Sequence, residues 1–342
     1  MNDEMRKRYS KQILIPEIGE KGQEKLLNSS VLIAGCGALG SVIANSIVRA
    51  GIGRVRIIDR DFIELDNLPR QVLFDEEDIK KGLPKAIAAA EKLRLINSGI
   101  RIEPFVADLT SENIEELIRD VDIVLDGTDN FETRFLINNA CVKHGKPWVY
   151  GGVVSTNGMS AVIIPGETPC LQCYIGGIPA PGTTPTCDTV GVLGTIVNII
   201  ASVEVTEALK ILTGNMESLL RKLVYIDPWN GQWKLYDISK GKRCRVCDDR
   251  EFEFLEKGKE SRLAGLCGQN AVQISPISKD TVSFPGLAER LSAAGEVSYN
   301  DYMLRFRIDK YELTVFPDGR TIVRGTTDPA AAKTVYSKYI GT

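Results

Sequence analysis

Histidine is almost absent from this chain: His144 stands alone among 342 residues. Any mechanism that needs a pair of imidazoles is therefore excluded. Long apolar runs are missing too. The longest, Val190–Val205, is interrupted by Gly191, Gly194, Thr195, Asn198 and Ser202, which makes it too short and too polar to span a bilayer. Neither sign of charge dominates, with 42 basic against 45 acidic residues and a net charge of -3. Nothing in that balance draws the chain broadly to nucleic acid or to an anionic membrane. The opening residues Met1–Arg8 are charged and lead into no apolar segment, so no secretory signal is expected and the cytoplasm is the expected compartment. Eight cysteines are too sparse for a disulfide scaffold, and in a reducing compartment metal-bound thiolates are the better reading.

What is present is the composition of an ordinary globular protein, 43% hydrophobic and 25% charged, in a chain long enough for one large domain and a smaller one. The first part alternates strand and helix patterns. Ser29–Gly35 reads as a buried strand, Leu39–Ala50 as a helix, and Arg54–Asp59 as the next strand. A helix over Pro84–Ile96, a strand over Arg101–Val106 and a helix over Ser111–Arg119 with Ser111 as its N-cap follow. Then come a strand at Val121–Asp126, a helix at Asn130–His144 and a strand at Pro147–Tyr150. That order predicts an α/β fold, a Rossmann-like doubly wound and mostly parallel sheet. Beyond it lie a strand at Met159–Ile164, a mobile crossover loop at Gly176–Thr189, a helix from Gly194 to Thr213, and strands at Lys222–Asp227 and Gln232–Asp237. The expected domains are 1–249, a linker over 250–265 containing the charged run Glu251–Arg262, and a small α+β domain over 266–342. The last should hold strands at Ala271–Ser275, Met303–Ile308, Glu312–Phe316 and Thr321–Arg324, with helices at Leu287–Ala294 and Pro329–Tyr339.

Three groups of residues carry chemistry. Gly35, Gly37 and Gly40 have the G-x-G-x-x-G spacing between a strand and a helix, where backbone N–H groups can cradle phosphate. Asp59, at the next strand's end, stands where such folds bind a ribose hydroxyl. The fingerprint alone favours NAD, so other residues decide. Asn67, Arg70 and Gln71 share one short loop that could face a triphosphate, and Arg70 can neutralise two oxygens with one planar fork. Lys85 opens the following helix, and Asp129, just past a strand end, is placed to hold Mg²⁺. The second group is Cys170, Cys173, Cys244 and Cys247, two Cys-x-x-Cys pairs suited to a closed, structural, tetrahedral zinc. The third is Cys187, left over in its loop as a candidate for chemistry. Cys36 and Cys141 fall in core elements as small buried hydrophobes, and Cys267 is assigned no role.

The glycine turn, Asp59, the run Asp66-Asn67-Leu68-Pro69-Arg70-Gln71, Lys85, the segment Asp126-Gly127-Thr128-Asp129-Asn130 and both cysteine pairs recur here in order. In this the chain resembles the ThiF/MoeB-type adenylyltransferases, bacterial relatives of the ubiquitin-activating enzymes, over about residues 6–248. Arg8-Tyr9-Ser10-Lys11-Gln12 matches the family's start except that Lys11 stands where an arginine is usual. Thr186–Val192 is closer to the thiamin branch than to the molybdopterin branch.

The resemblance implies ATP-dependent adenylylation of the C-terminal Gly-Gly carboxylate of a ubiquitin-like sulfur carrier, ThiS-like for thiamin thiazole or alternatively MoaD-like for molybdopterin. By it Asp59 holds the ribose, while Asn67, Arg70, Gln71 and Lys85 meet the phosphates. Asp129 holds Mg²⁺, and Arg8 reaches across a homodimer into the partner's site. Cys187 handles sulfur, as a persulfide or a covalent link to the carrier. A cysteine desulfurase or another sulfur donor is a further implied partner, and neither nucleic acid nor membrane is. The carrier's carboxylate is itself the nucleophile, so the shortage of histidine is no obstacle. Two other classes stay open at this stage. An NAD-dependent oxidoreductase would leave Arg70, Gln71 and Lys85 surplus. A non-catalytic module that merely holds a ubiquitin-like partner would not need Arg70, Lys85 and Asp129 intact.

Overall fold

The computed structural model describes residues 1–179, 183, 185–237, 243–256, 263–266, 271–274 and 282–341. The chain divides into two compact units, Met1–Gly258 and Lys259–Thr342.

The first unit is built on an eight-stranded sheet. Its strands are β1 (Ser30–Ala34), β2 (Arg54–Ile58), β3 (Arg101–Phe105), β4 (Ile123–Asp126), β5 (Trp148–Val154), β6 (Asn157–Ile163), β7 (Lys222–Asp227) and β8 (Gln232–Asp237). They lie in the order β3-β2-β1-β4-β5-β6-β7-β8. The neighbours from β3 to β5 pair parallel, and those from β5 to β8 pair antiparallel. β1 and β4 are buried along their whole length, as strands covered on both faces must be, and this explains the apolar runs Val31–Ala34 and Ile123–Leu125. Helices Ala38–Ala50, Lys85–Ile96 and Gly194–Thr213 share one core, with Ile43, Ile47, Ala89 and Ile200 among its buried side chains. Helix Phe131–His144 belongs to a second core with Trp148 and Ile163. The strand order reverses direction between β1 and β4, and the chain loops that follow these two strands meet there. That is where a doubly wound sheet opens a crevice for ligands.

The structure corrects two details of this unit. Ser111 does not cap a helix: the helix is Ile114–Ile118 with Asn113 before it. The Asn113 side chain accepts from the Thr110 amide at 2.9 Å instead, a local turn that competes with capping. The crossover stretch also ends in a one-turn helix, Cys187–Val190, closed by a reciprocal Thr186–Thr189 capping box. Residues 180–182 and 184 lie outside the described residues.

The stretch 250–265 is not all linker. Helix Glu253–Glu256 buries Leu255, and Phe254 stacks on Phe135 with centroids 5.3 Å apart.

The second unit is an antiparallel sheet of β9 (Leu263–Leu266), β10 (Ala271–Ile274), β11 (Glu296–Tyr299), β12 (Leu304–Ile308), β13 (Tyr311–Val315) and β14 (Thr321–Arg324). Its order is β11-β12-β13-β14-β10-β9. Helices Phe284–Leu291 and Pro329–Tyr339 share its core with Val272, Leu304, Phe306, Leu313, Val315 and Val323. The first of these helices starts three residues before the expected Leu287, because Pro285 suits a first turn. Cys267 lies outside the described residues.

Candidate active site

β1 delivers the chain into the glycine turn. Gly35 has φ +86, and a Cβ there would stand 2.7 Å from the Gly127 carbonyl oxygen. A Cβ on Gly40 would lie 2.0 Å from the Gly35 carbonyl oxygen. The turn after β1 and the loop after β4 thus touch backbone to backbone, which no larger residue would allow. Helix Ala38–Ala50 then starts from Gly37 with no side chain capping it, leaving free N–H donors for an anion.

Around this turn the folding brings distant residues together. Asp59 leaves β2 and accepts from the Cys36 amide at 2.6 Å and from the Asp61 amide at 2.7 Å, so its carboxylate holds the glycine turn in shape. Burial pushes its pKa up to about 6, against the pull of Lys85. Lys85 is 6% exposed and reaches Asp61 Oδ2 at 3.3 Å. Burial would lower its pKa, but Asp61, Asp59 and Asp129 outweigh that and hold the ammonium above its ordinary value. One buried cation therefore stands among three carboxylates from two segments, Asp59 and Asp61 after β2 and Asp129 after β4. Asp129 itself is exposed.

The loop between β2 and helix Lys85–Ile96 supplies the rest. Gln71 is buried, its Oε1 makes no hydrogen bond, and its Nε2 lies 3.9 Å from where a Cβ on Gly37 would be. Asn67 is occupied within its own turn, accepting from the Glu64 amide at 3.1 Å and donating to Asp66. Arg70 donates to the Asp66 carbonyl at 2.5 Å. A Cβ on Gly194 would stand 3.0 Å from the Pro69 carbonyl oxygen, so the crossover returns against this loop. At the crossover, Cys187 Sγ lies 3.5 Å from the Val153 carbonyl at the end of β5. Arg8 stands apart. Its guanidinium donates to the Ile96 carbonyl at 3.1 Å, at the far end of the helix that Lys85 opens, roughly 16 Å along its axis.

Reading residues singly missed a buried polar cluster behind the site. Asp126 is fully buried at the end of β4 and takes Arg134 Nε at 3.0 Å. Glu204 is also fully buried, and burial, with the Asp126 charge nearby, pushes its pKa well above the carboxylate range. It fills the space of a missing side chain: a Cβ on Gly151 would be 1.9 Å from Glu204 Oε1. The available signal was an aspartate closing an otherwise apolar strand, with an arginine inside an apolar helix eight residues on.

The two cysteine pairs meet elsewhere in the same unit. Sγ–Sγ distances are 3.8 Å for Cys170–Cys173, 3.9 Å for Cys170–Cys244 and 3.7 Å for Cys173–Cys247. All four sulfurs lie within 4.8 Å of one another. A tetrahedral zinc with Zn–S near 2.3 Å sets its sulfurs about 3.8 Å apart, so the donor set and its spacing fit that ion. Cys170 and Cys244 are buried and the other two half-buried. Cys36 and Cys141 are fully buried, and burial pushes both thiols up.

The ThiF family matches this chain over residues 9–246. The chain belongs to the ThiF family. This family member is 44% identical to the sulfur carrier protein ThiS adenylyltransferase of Bacillus subtilis, over 98% of this chain and 99% of that protein. It is 38% identical to the sulfur carrier protein adenylyltransferase of Thermus thermophilus, over 71% and 90% of the two chains. It is thus an adenylyltransferase of the ThiF/MoeB type, and such an enzyme uses ATP. A crystal structure of E. coli MccB with MccA-N7isoASN shares the fold, with a TM-score of 0.63 at 24% identity over 72% of this chain and 75% of that one. No helix among the described residues is long and apolar enough to cross a membrane.

Proposed function

We propose that this enzyme adenylylates the C-terminal Gly-Gly carboxylate of a ThiS-like sulfur carrier, releasing pyrophosphate and leaving an acyl-adenylate for sulfur transfer to the thiamin thiazole. The observation that carries this reading is the buried Lys85 ammonium held among Asp59, Asp61 and Asp129 beside an uncapped helix N-terminus. The reaction brings a carboxylate onto a triphosphate, so its barrier is largely anion repulsion, and fixed cations and N–H dipoles lower that barrier. The chain has no imidazole to spare as a base, since His144 pairs with Glu115 at 2.5 Å. A carboxylate nucleophile needs none.

In this reading the glycine turn and Gln71 border the nucleotide, and Asp59 accepts from its ribose. Lys85 and Arg70 neutralise phosphate oxygens, and Asn67 keeps the loop that carries Arg70 in shape. Asp129 is the residue that would hold Mg²⁺, which when bound neutralises the triphosphate. Cys187 handles sulfur supplied by a donor such as a cysteine desulfurase. Arg8, which meets Ile96 in its own chain, acts on the partner protomer of a homodimer. The four clustered cysteines hold a structural zinc, with no position left for water. The choice of carrier is supported by the Bacillus subtilis relative, whose similarity runs through both units.

The test is ATP–pyrophosphate exchange with purified protein, with ThiS-like and MoaD-like carriers supplied in separate assays and a control without carrier. Exchange should require the ThiS-like carrier and vanish in Asp129→Ala. Exchange with the MoaD-like carrier alone would move the enzyme to the molybdopterin branch, and NAD binding in place of ATP would end the proposal.

A further inference from the structure

Resting on that reading, we infer that Arg134 is the positioning residue for Asp129, acting on the reaction without touching the nucleotide. The guanidinium takes acceptors from three places at once. It donates to Asp126 Oδ2 at 3.0 Å, to the Thr128 carbonyl at 2.7 Å and to the Gly151 carbonyl at 2.9 Å. It thus ties the loop after β4 to β5, next to the point where the sheet opens. Phe131 and Tyr150 flank it, their ring centroids 5.6 and 5.4 Å from its central carbon, which holds a planar cation in one orientation.

The rest of the loop is tied as firmly. Asp126 Oδ1 accepts from the Thr128 amide at 2.9 Å and from its hydroxyl at 2.6 Å. On the other side Asn130 caps the next helix, accepting from the Thr133 amide at 2.8 Å. Asp129 sits between these two anchors, and among the described residues its own side chain takes a long contact from Asn130 at 3.4 Å. Its backbone is fixed while its carboxylate stays exposed towards Lys85. A pair serving stability alone needs one good contact between Asp126 and Arg134. The further two bonds, both to backbone carbonyls beside the site, set where Asp129 stands. A lysine at 134 would keep the charge and lose the fork that spans the three acceptors.

The test is a double-mutant cycle read by ATP–pyrophosphate exchange with a ThiS-like carrier, comparing wild type, Arg134→Lys, Asp129→Asn and the double variant. Arg134→Lys alone should lower kcat about 100-fold, the scale of a misplaced catalytic group, with the KM for ATP within about threefold of wild type. In the Asp129→Asn background the same change should cost less than about threefold, since residues that act as a unit are non-additive. A residue that only stabilises the fold would lower exchange by the same factor in both backgrounds. That result, or wild-type exchange in Arg134→Lys, would overturn the inference. Should Arg134→Lys fail to fold, Phe131→Leu, which removes one of the two rings that hold the Arg134 guanidinium plane, enters the same cycle: non-additivity supports the inference and additivity overturns it. A wild type that shows no exchange would sink the adenylylation reading and this inference with it. A wild type that exchanges while the cycle is additive sinks the inference alone.

Discussion

The glycine turn and the cysteine cluster are two polar sites in one unit, built on opposite plans. At the turn, donors and acceptors are left open: Lys85 stands among Asp59, Asp61 and Asp129, the helix N-terminus has no side-chain cap, and Gln71 Oε1 is buried with no partner among the described residues. At the cluster, four sulfurs face only one another at the spacing a single ion requires. The first arrangement is costly until a ligand arrives, and the second is complete once its metal is bound. Both Cys-x-x-Cys turns also join the surrounding core, with Leu171 and Val246 buried in it and the Leu171 amide held by Asn138 at 2.9 Å. The open site is thus built for chemistry and the closed one for folding.

The largest expected effect comes from breaking the closed site. Cys244→Ser removes one of four ligands and leaves the segment around Val246 without its anchor. Structural zinc contributes on the order of 10 kcal/mol in small zinc peptides. Half of that, at about 2–4 °C per kcal/mol for a domain of this size, lowers Tm by roughly 10–20 °C. A thermal melt with a metal assay checks this, and a chelator should reproduce the drop in wild type. Unchanged stability in the metal-free protein would erase the contrast between the sites.

At the open site the expectation reverses. Lys85→Met should lower exchange by about 10²–10³-fold, the usual loss when one preorganised charge-stabilising group is removed. Tm should change by only a few degrees, because Asp61 remains partly in water. Exchange kinetics beside a thermal melt separate the two outcomes. A large loss of stability with little loss of rate would mean that Lys85 is structural.

Much of this contrast is legible in the residues before any folding is considered. Strands Lys222–Asp227 and Gln232–Asp237 and helix Gly194–Thr213 are found where their patterns put them, and Gly214 with φ +90 marks the helix end. The glycine turn and the paired cysteines show themselves because each depends on spacing within a short segment. What stays hidden depends on pairing across the fold. Asp126 and Arg134 look like two surface charges until β4 and helix Phe131–His144 bury them together. Glu204 looks like the polar face of a helix, and only the absence of a side chain at Gly151 makes room for it inside. β11 escapes because its alternating Glu-Val-Ser-Tyr is only four residues long and lies mostly exposed at the sheet edge, too short a pattern to stand out from a turn.

The smallest expected effect is a pH dependence confined to the open site. Burial raises Asp59 to about 6, above the roughly 3.9 of an unfolded aspartate. Between those values the native state holds a proton that the unfolded state has released. Stability from this group is therefore greatest below the unfolded value, declines as pH rises from about 4 to about 6, and changes no further above that. Nucleotide binding runs the other way. A protonated Asp59 loses acceptor capacity for a ribose hydroxyl and part of its attraction for Lys85. ATP affinity should therefore weaken by a few-fold as pH falls through about 6, a tenfold change in proton affinity corresponding to about 1.4 kcal/mol of differential interaction. Calorimetric titration of ATP between pH 5 and 8 checks this, with Asp59→Asn expected to flatten the profile, whereas the cysteine cluster should keep its metal content unchanged between pH 6 and 8. A profile as steep in Asp59→Asn as in wild type would move the titrating group elsewhere and leave Asp59 as only the brace of the glycine turn.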